Sequence, residues 1–119
     1  MPSVYDHVGS LHRMGNDEQL FQEMVGFLHD DAPLRLQDIQ KGLAEANWPR
    51  ARHAVHSLKG LVSNFGAQRA MIAAIKLEQV IQQRPQSPEL SGALEELNAA
   101  VGELQRALSP FCASNGSPS

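Results

Sequence analysis

Apolar residues recur at steps of three and four along almost all of this 119-residue chain, and no segment alternates with the two-residue period of a strand. That pattern restricts the fold to packed helices. Between residues 17 and 46, Leu20, Phe21, Met24, Val25, Phe27, Leu28, Leu34, Leu36, Ile39 and Leu43 keep the helical step. Asn16 reads as the N-cap of this helix, with Gln19 three residues on as in a capping box. Pro33 lies inside the pattern and removes the hydrogen bond to residue 29, so a kink or break is expected there. Asn47 caps the next helix, with Pro49 in its first turn. That helix runs to about Phe65 and ends at Gly66, where glycine suits a left-handed C-terminal cap. A further helix covers residues 67–84, with Met71, Ile72, Ile75, Val80 and Ile81 as its stripe. Residues 84–88 form a loop ending in a Ser87 cap and Pro88 at the first helical position. The last helix runs from Pro88 to about Leu108 and carries Leu90, Leu94, Leu97, Val101, Leu104 and Leu108. A short helix before Met14 caps one end. Short connections between amphipathic helices give an all-α fold, an antiparallel four-helix bundle with a short N-terminal capping helix. Residues 4–109 form one domain, and residues 110–119 read as a mobile tail.

Composition narrows the function classes. The chain is 42% hydrophobic, too rich for wholesale disorder, and its length suits one domain. The single cysteine, Cys112, has no internal partner, which points to a reducing compartment. A net charge of −3 gives no global basicity for nucleic acid. The apolar runs are too short to span a bilayer, and the N-terminus lacks the pattern of a signal peptide. A soluble, cytoplasmic single domain is expected, with no nucleic-acid partner and no direct membrane contact.

The helix from Trp48 to Phe65 carries the chemistry. Ala51, Val55, Leu58, Val62 and Phe65 gather on one side of its wheel, and His56 sits about 130° from the centre of that stripe. Arg52, Lys59, Gly60 and Ser63 are its neighbours at spacings of three, four and seven. Residues 46–77 contain Arg50, Arg52, Lys59, Arg69 and Lys76 and no acid, while all thirteen acids lie elsewhere. A basic surface around an exposed histidine suits an anionic ligand or an acidic partner. A neutral imidazole is a good nucleophile near neutral pH. Its attack on a phosphoryl group needs a nearby cation that does not compete as a nucleophile, and the Lys59 ammonium meets that need. Gly60 costs up to about 1 kcal/mol in a helix interior relative to alanine, a cost most easily justified where another molecule approaches closely.

The run from Ala54 to Ala67, Ala-Val-His-Ser-Leu-Lys-Gly-Leu-Val-Ser-Asn-Phe-Gly-Ala, resembles the signature of histidine phosphotransfer (HPt) domains. The resemblance extends upstream through Phe27 to Pro33 and the turn at residues 43–48, and downstream to Leu77-Glu78. It covers roughly residues 4–108. It implies a four-helix bundle in which His56 accepts phosphate from an aspartyl phosphate on a receiver domain and passes it to another receiver. Lys59 would neutralise the phosphoryl oxygens and Gly60 would give the receiver clearance. Arg52, Ser63 and Arg69 are expected partner contacts. The chain would be a stoichiometric phosphocarrier without an ATP site or cofactor of its own. Any Mg²⁺ would belong to the receiver, because this face offers no carboxylates for a hard cation. Leu61 is bulkier than the small residues often found after the glycine, which bears on the choice of partner. The stretch from Val4 to Asn16 is similar to the start of HPt domains fused to hybrid sensor kinases, so both an excised domain and a free-standing shuttle fit.

Other readings weigh less. His53 and His56 are three apart, but no third ligand lies nearby and the surrounding cations oppose Zn²⁺. The Glu-x-x-His pairs of a di-iron bundle are absent. His7, His12 and His29 read as surface or capping residues; Glu78 could hydrogen-bond near the site, but an exposed helical glutamate is the commoner case. A histidine kinase core would need Gly-rich nucleotide loops that the chain lacks. A plain helical interaction module, indifferent to His56, is the remaining alternative.

Overall fold

Side-chain caps decide where most of the helices begin in the computed structural model, which describes residues 4–111. Asp6 accepts a hydrogen bond from the Gly9 amide and starts α1, His7–Arg13. Gly15 and Asn16 then adopt positive φ, at 69° and 58°, and turn the chain into α2, Glu18–Ala44. Its N-cap is Asp17, which accepts from the Leu20 amide at 3.1 Å, and not Asn16. A cap needs extended backbone, whereas Asn16 is spent on the left-handed turn that precedes it. Nor does Pro33 break α2, which is one helix of 27 residues. Pro33 faces solvent, and buried Ala32 and Ile39 hold the two halves of α2 against one core.

Asn47 caps α3, Trp48–Ser63, by accepting from the Arg50 amide, with Pro49 in the first turn as expected. The helix stops two residues before Phe65, and Gly66 at φ 60° completes the turn. The last carbonyls of this segment find partners in the N-terminal segment. The Asp6 amide donates to the Phe65 carbonyl at 2.8 Å, and the Arg13 guanidinium donates to the Asn64 carbonyl at 3.1 Å. The N-terminal segment therefore serves as a cap on α3, meeting the need of its terminal carbonyls.

α4 spans Gln68–Gln83 and α5 spans Glu89–Leu108. The buried stripe of α4 is Ala70, Ala73, Ala74, Leu77, Val80 and Ile81, while Ile72 is 64% exposed and Ile75 also faces water. The expected stripe is thus corrected: α4 turns its alanines inward, where small side chains allow close packing. On α2, Leu20, Phe27 and Leu34 likewise face outward. α5 begins one residue later than expected, with the Ser87 hydroxyl accepting from the Glu89 amide. A 3₁₀ turn at Ser109–Phe111 follows, and Phe111 packs against Phe21 with ring centroids 5.5 Å apart. Residues 110 and 111 thus belong to the folded unit, and the rest of the expected tail, Cys112 included, lies outside the described residues.

Helices α2, α3, α4 and α5 pack in sequence, and α5 returns to α2, which closes an antiparallel four-helix bundle with α1 across one end. Phe65, Leu28, Ile39, Leu58, Leu77, Leu97, Leu104 and Leu108 fill the core. Three ion pairs cross the α4–α5 seam: Arg69–Glu103 at 3.0 Å, Lys76–Glu96 at 3.6 Å and Arg84–Glu89 at 2.8 Å. Their seven- and eight-residue spacing fits one antiparallel register. Each is exposed and individually worth at most about 1 kcal/mol.

Gly42 marks the closest approach of α2 to α3: a Cβ there would stand 2.9 Å from the Ala51 amide nitrogen. Gly42→Ala should therefore lower stability by about 1–3 kcal/mol through overpacking, although alanine is the better helix former. Chemical denaturation of the variant checks this; an unchanged or raised midpoint would refute it.

Candidate functional site

The packing of α3 determines what it shows to solvent. Ala51, Ala54, Val55, Leu58, Leu61 and Val62 face inward, leaving Arg52, His53, His56 and Gly60 outward. The His56 side chain is 68% exposed. Its Nδ1 faces Oε2 of Glu78, on α4, at 3.5 Å, an electrostatic contact longer than a closed hydrogen bond. The other oxygen of Glu78 accepts from Lys59 Nζ at 3.2 Å. Lys59 and Glu78 are both half-buried, so this pair is better shielded than a typical surface pair. One carboxylate thus ties together the imidazole and the ammonium. The contact favours a proton on Nδ1, which leaves Nε2 with its lone pair directed away from Glu78. Gly60 has only open space where a Cβ would be.

The basic surface expected around His56 is largely compensated by neighbouring helices. Arg50 pairs with Asp38 at 3.2 Å and Glu45 at 3.7 Å, Lys59 with Glu78, Arg69 with Glu103, and Lys76 with Glu96. Among the described residues, Arg52 is the one cation of the five with no carboxylate within 4.0 Å. Glu78 was the residue that sequence reasoning underrated. Its only signal was the Leu77-Glu78 dipeptide, because partners on different helices leave no periodic trace.

The structure does not bring every candidate together. Arg52 lies one turn before His56 on the same face. Ser63 lies about 10 Å beyond His56 along the axis of α3, and its hydroxyl donates to the Gly60 carbonyl at 2.8 Å. Arg69 is held by Glu103, about 13 Å along α4 from Glu78. Among the described residues no group of histidine, cysteine and carboxylate side chains could hold a metal ion. His7 sits in an aromatic cluster with Tyr5, Phe21 and Phe111, its Nδ1 3.0 Å from the Tyr5 hydroxyl, and burial pushes the Tyr5 phenol up. His29 donates from Nδ1 to the Val25 carbonyl, and His12 is exposed. Among these residues no helix is long and apolar enough to cross a membrane.

The structure thus places an exposed histidine on the side of an antiparallel helical bundle, with a lysine and a vacant glycine beside it. The Hpt domain family matches residues 23–107, and the chain belongs to it. Members act by histidine phosphotransfer in two-component phosphorelays, interacting with receiver domains, as phosphocarriers rather than enzymes. Comparison with curated proteins and with solved structures gives no match. The family match begins at Glu23 within α2, so α1 precedes it.

If Glu78 sets the tautomer, ¹⁵N spectra should show His56 protonated mainly on Nδ1 in the neutral ring. Glu78→Ala should shift the population toward the Nε2-protonated form. An unchanged tautomer ratio would remove Glu78 from this role.

Proposed function

We propose that His56 accepts a phosphoryl group from the aspartyl phosphate of a receiver domain and returns it to the aspartate of another receiver. The observation that carries this reading is the exposed imidazole whose Nδ1 faces Glu78, which leaves Nε2 free within the span matched by the family. The Nε2 lone pair attacks phosphorus, the P–N bond forms as the P–O bond breaks, and the receiver's carboxylate leaves. The Nδ1 proton stays beside Glu78, which offsets the positive charge that the ring acquires. The onward step reverses these bonds with a second carboxylate as nucleophile.

Each neighbour has a defined part in this scheme. Lys59 lends its ammonium to the phosphoryl oxygens while Glu78 holds it near His56. Gly60 gives the receiver room to bring its aspartate to Nε2, since no atom of this chain needs the space. Arg52 and Ser63 contact the docked receiver on either side of His56, and Arg69 touches only a partner that reaches the end of the bundle. The receiver supplies Mg²⁺, the chain acts as a monomeric, stoichiometric carrier in the cytoplasm, and its turnover needs no nucleotide site here.

Transfer from a panel of phosphorylated receivers, scored for acid-labile phosphoramidate, tests the scheme. His56→Gln should take up no phosphate while its circular dichroism stays unchanged, because the position is exposed. Retained uptake would sink the assignment of His56, whereas no uptake by the wild type from any receiver would favour a phosphate-independent interaction module. Lys59→Ala should slow transfer about tenfold or more, the scale of one charge-assisted hydrogen bond. Gly60→Met should raise stability by up to about 1 kcal/mol, since methionine is the better helix former, yet slow transfer by crowding the receiver. A faster or unchanged transfer rate in that variant would refute the clearance role.

A further inference from the structure

The charge balance at His56 leaves a phosphoryl group undercompensated. Lys59 and Glu78 form a neutral couple at 3.2 Å, with Glu78 Oε2 only 3.5 Å from the imidazole. A phosphoryl group on Nε2 would bring close to two negative charges into a site whose lysine is already shared with a carboxylate. The remaining cation on this face is Arg52. It is exposed, and among the described residues no carboxylate lies within 4.0 Å of it, whereas Arg50, Lys59, Arg69 and Lys76 all have one. Arg52 lies four residues before His56, which on a helix means about 40° of rotation and about 5–6 Å between Cβ atoms. An arginine side chain spans that gap.

Resting on the carrier reading, we propose that Arg52 is a catalytic residue, the guanidinium that closes over the phosphoryl group on His56. Two of its N–H groups donate to two phosphoryl oxygens, a planar match that an ammonium cannot make. Lys59 still reaches the phosphoryl oxygens, but its charge is shared with Glu78, and Arg52 supplies the uncompensated charge. The arginine is pre-stationed because no internal carboxylate holds it elsewhere. As the phosphoryl group leaves for the next aspartate, the guanidinium is released to water.

Potassium phosphoramidate, a small donor that needs no receiver, separates this role from docking. Nε2 attacks its phosphorus, the P–N bond to ammonia breaks, and ammonia leaves. With the whole chain at fixed pH, Arg52→Gln should acquire phosphate about tenfold more slowly, the scale of one charge-assisted contact. The ³¹P resonance of its phosphohistidine should be displaced from the wild-type position. Arg52→Lys should recover part of the rate, while the loss in Arg52→Gln should leave the thermal midpoint unchanged. Equal rates and equal resonances in wild type and Arg52→Gln would overturn the inference while leaving the carrier reading intact. Phosphate absent from the wild type itself, with phosphoramidate and with every phosphorylated receiver tried, would overturn both.

Discussion

The rotation of α3 about its own axis is the constraint on which the site depends. Small residues fix it: Gly42 of α2 meets the Ala51 backbone, and Ala54 faces inward with Ala51. On the other flank α4 presents Ala70, Ala73 and Ala74 to the core. Close-packed surfaces of this kind tolerate little slippage, because even one added methylene is felt in a dense interior. With that face gripped, residues half a turn away have to face water. His56 is exposed for this reason, and Glu78 can reach it only because α4 is held close and antiparallel.

The ends of the bundle serve the same helix. The turn after α3 would leave carbonyls unpaired, and the Asp6 amide and Arg13 guanidinium take up those of Phe65 and Asn64. A Cβ on Gly66 would fall 2.8 Å from Asp6 Cβ, so the glycine is needed both for its positive φ and for the docking of the N-terminal segment. Phe21, Phe65 and Phe111 then seal that end with edge-to-face contacts. At the α4–α5 seam, the three crossing ion pairs contribute less to stability than to choosing one register among those that apolar packing alone would permit.

Helical periodicity made the bundle legible in the sequence, and the Asn47-Trp48-Pro49 turn was readable from capping chemistry alone. Packing and backbone dihedrals decide the rest. Isoleucine is more hydrophobic than alanine, which puts Ile72 and Ile75 in the expected stripe, but close helix packing selects for small size at Ala70, Ala73 and Ala74. Asparagine favours both caps and left-handed turns, and only a φ of 58° assigns Asn16 to the turn. The run of residues 46–77 without an acid is real, yet the field around His56 is set by carboxylates from Asp38 to Glu103 that sit on other helices. A motif fixes which side chains share a face; it carries no record of what the neighbouring helix brings opposite them.

The glycines show how far vacancy can be read as function. Gly42 and Gly66 have internal reasons, since a side chain at either would strike backbone or Asp6. Gly60 has none, but Gly26 and Gly92 also face open space, so an empty Cβ position alone does not identify a docking surface. What separates Gly60 is its place on the face that carries His56, one turn beyond the imidazole. A helix weakened at that point gains nothing from packing within the chain, which agrees with the clearance role proposed for it. The charge pattern leads to the same place by a separate route: four of the five cations have partners in the fold, and the one without lies one turn on the other side of His56. An unfilled volume and an unpaired charge thus bracket one exposed imidazole, the arrangement that the proposed transfer from a docked receiver would use.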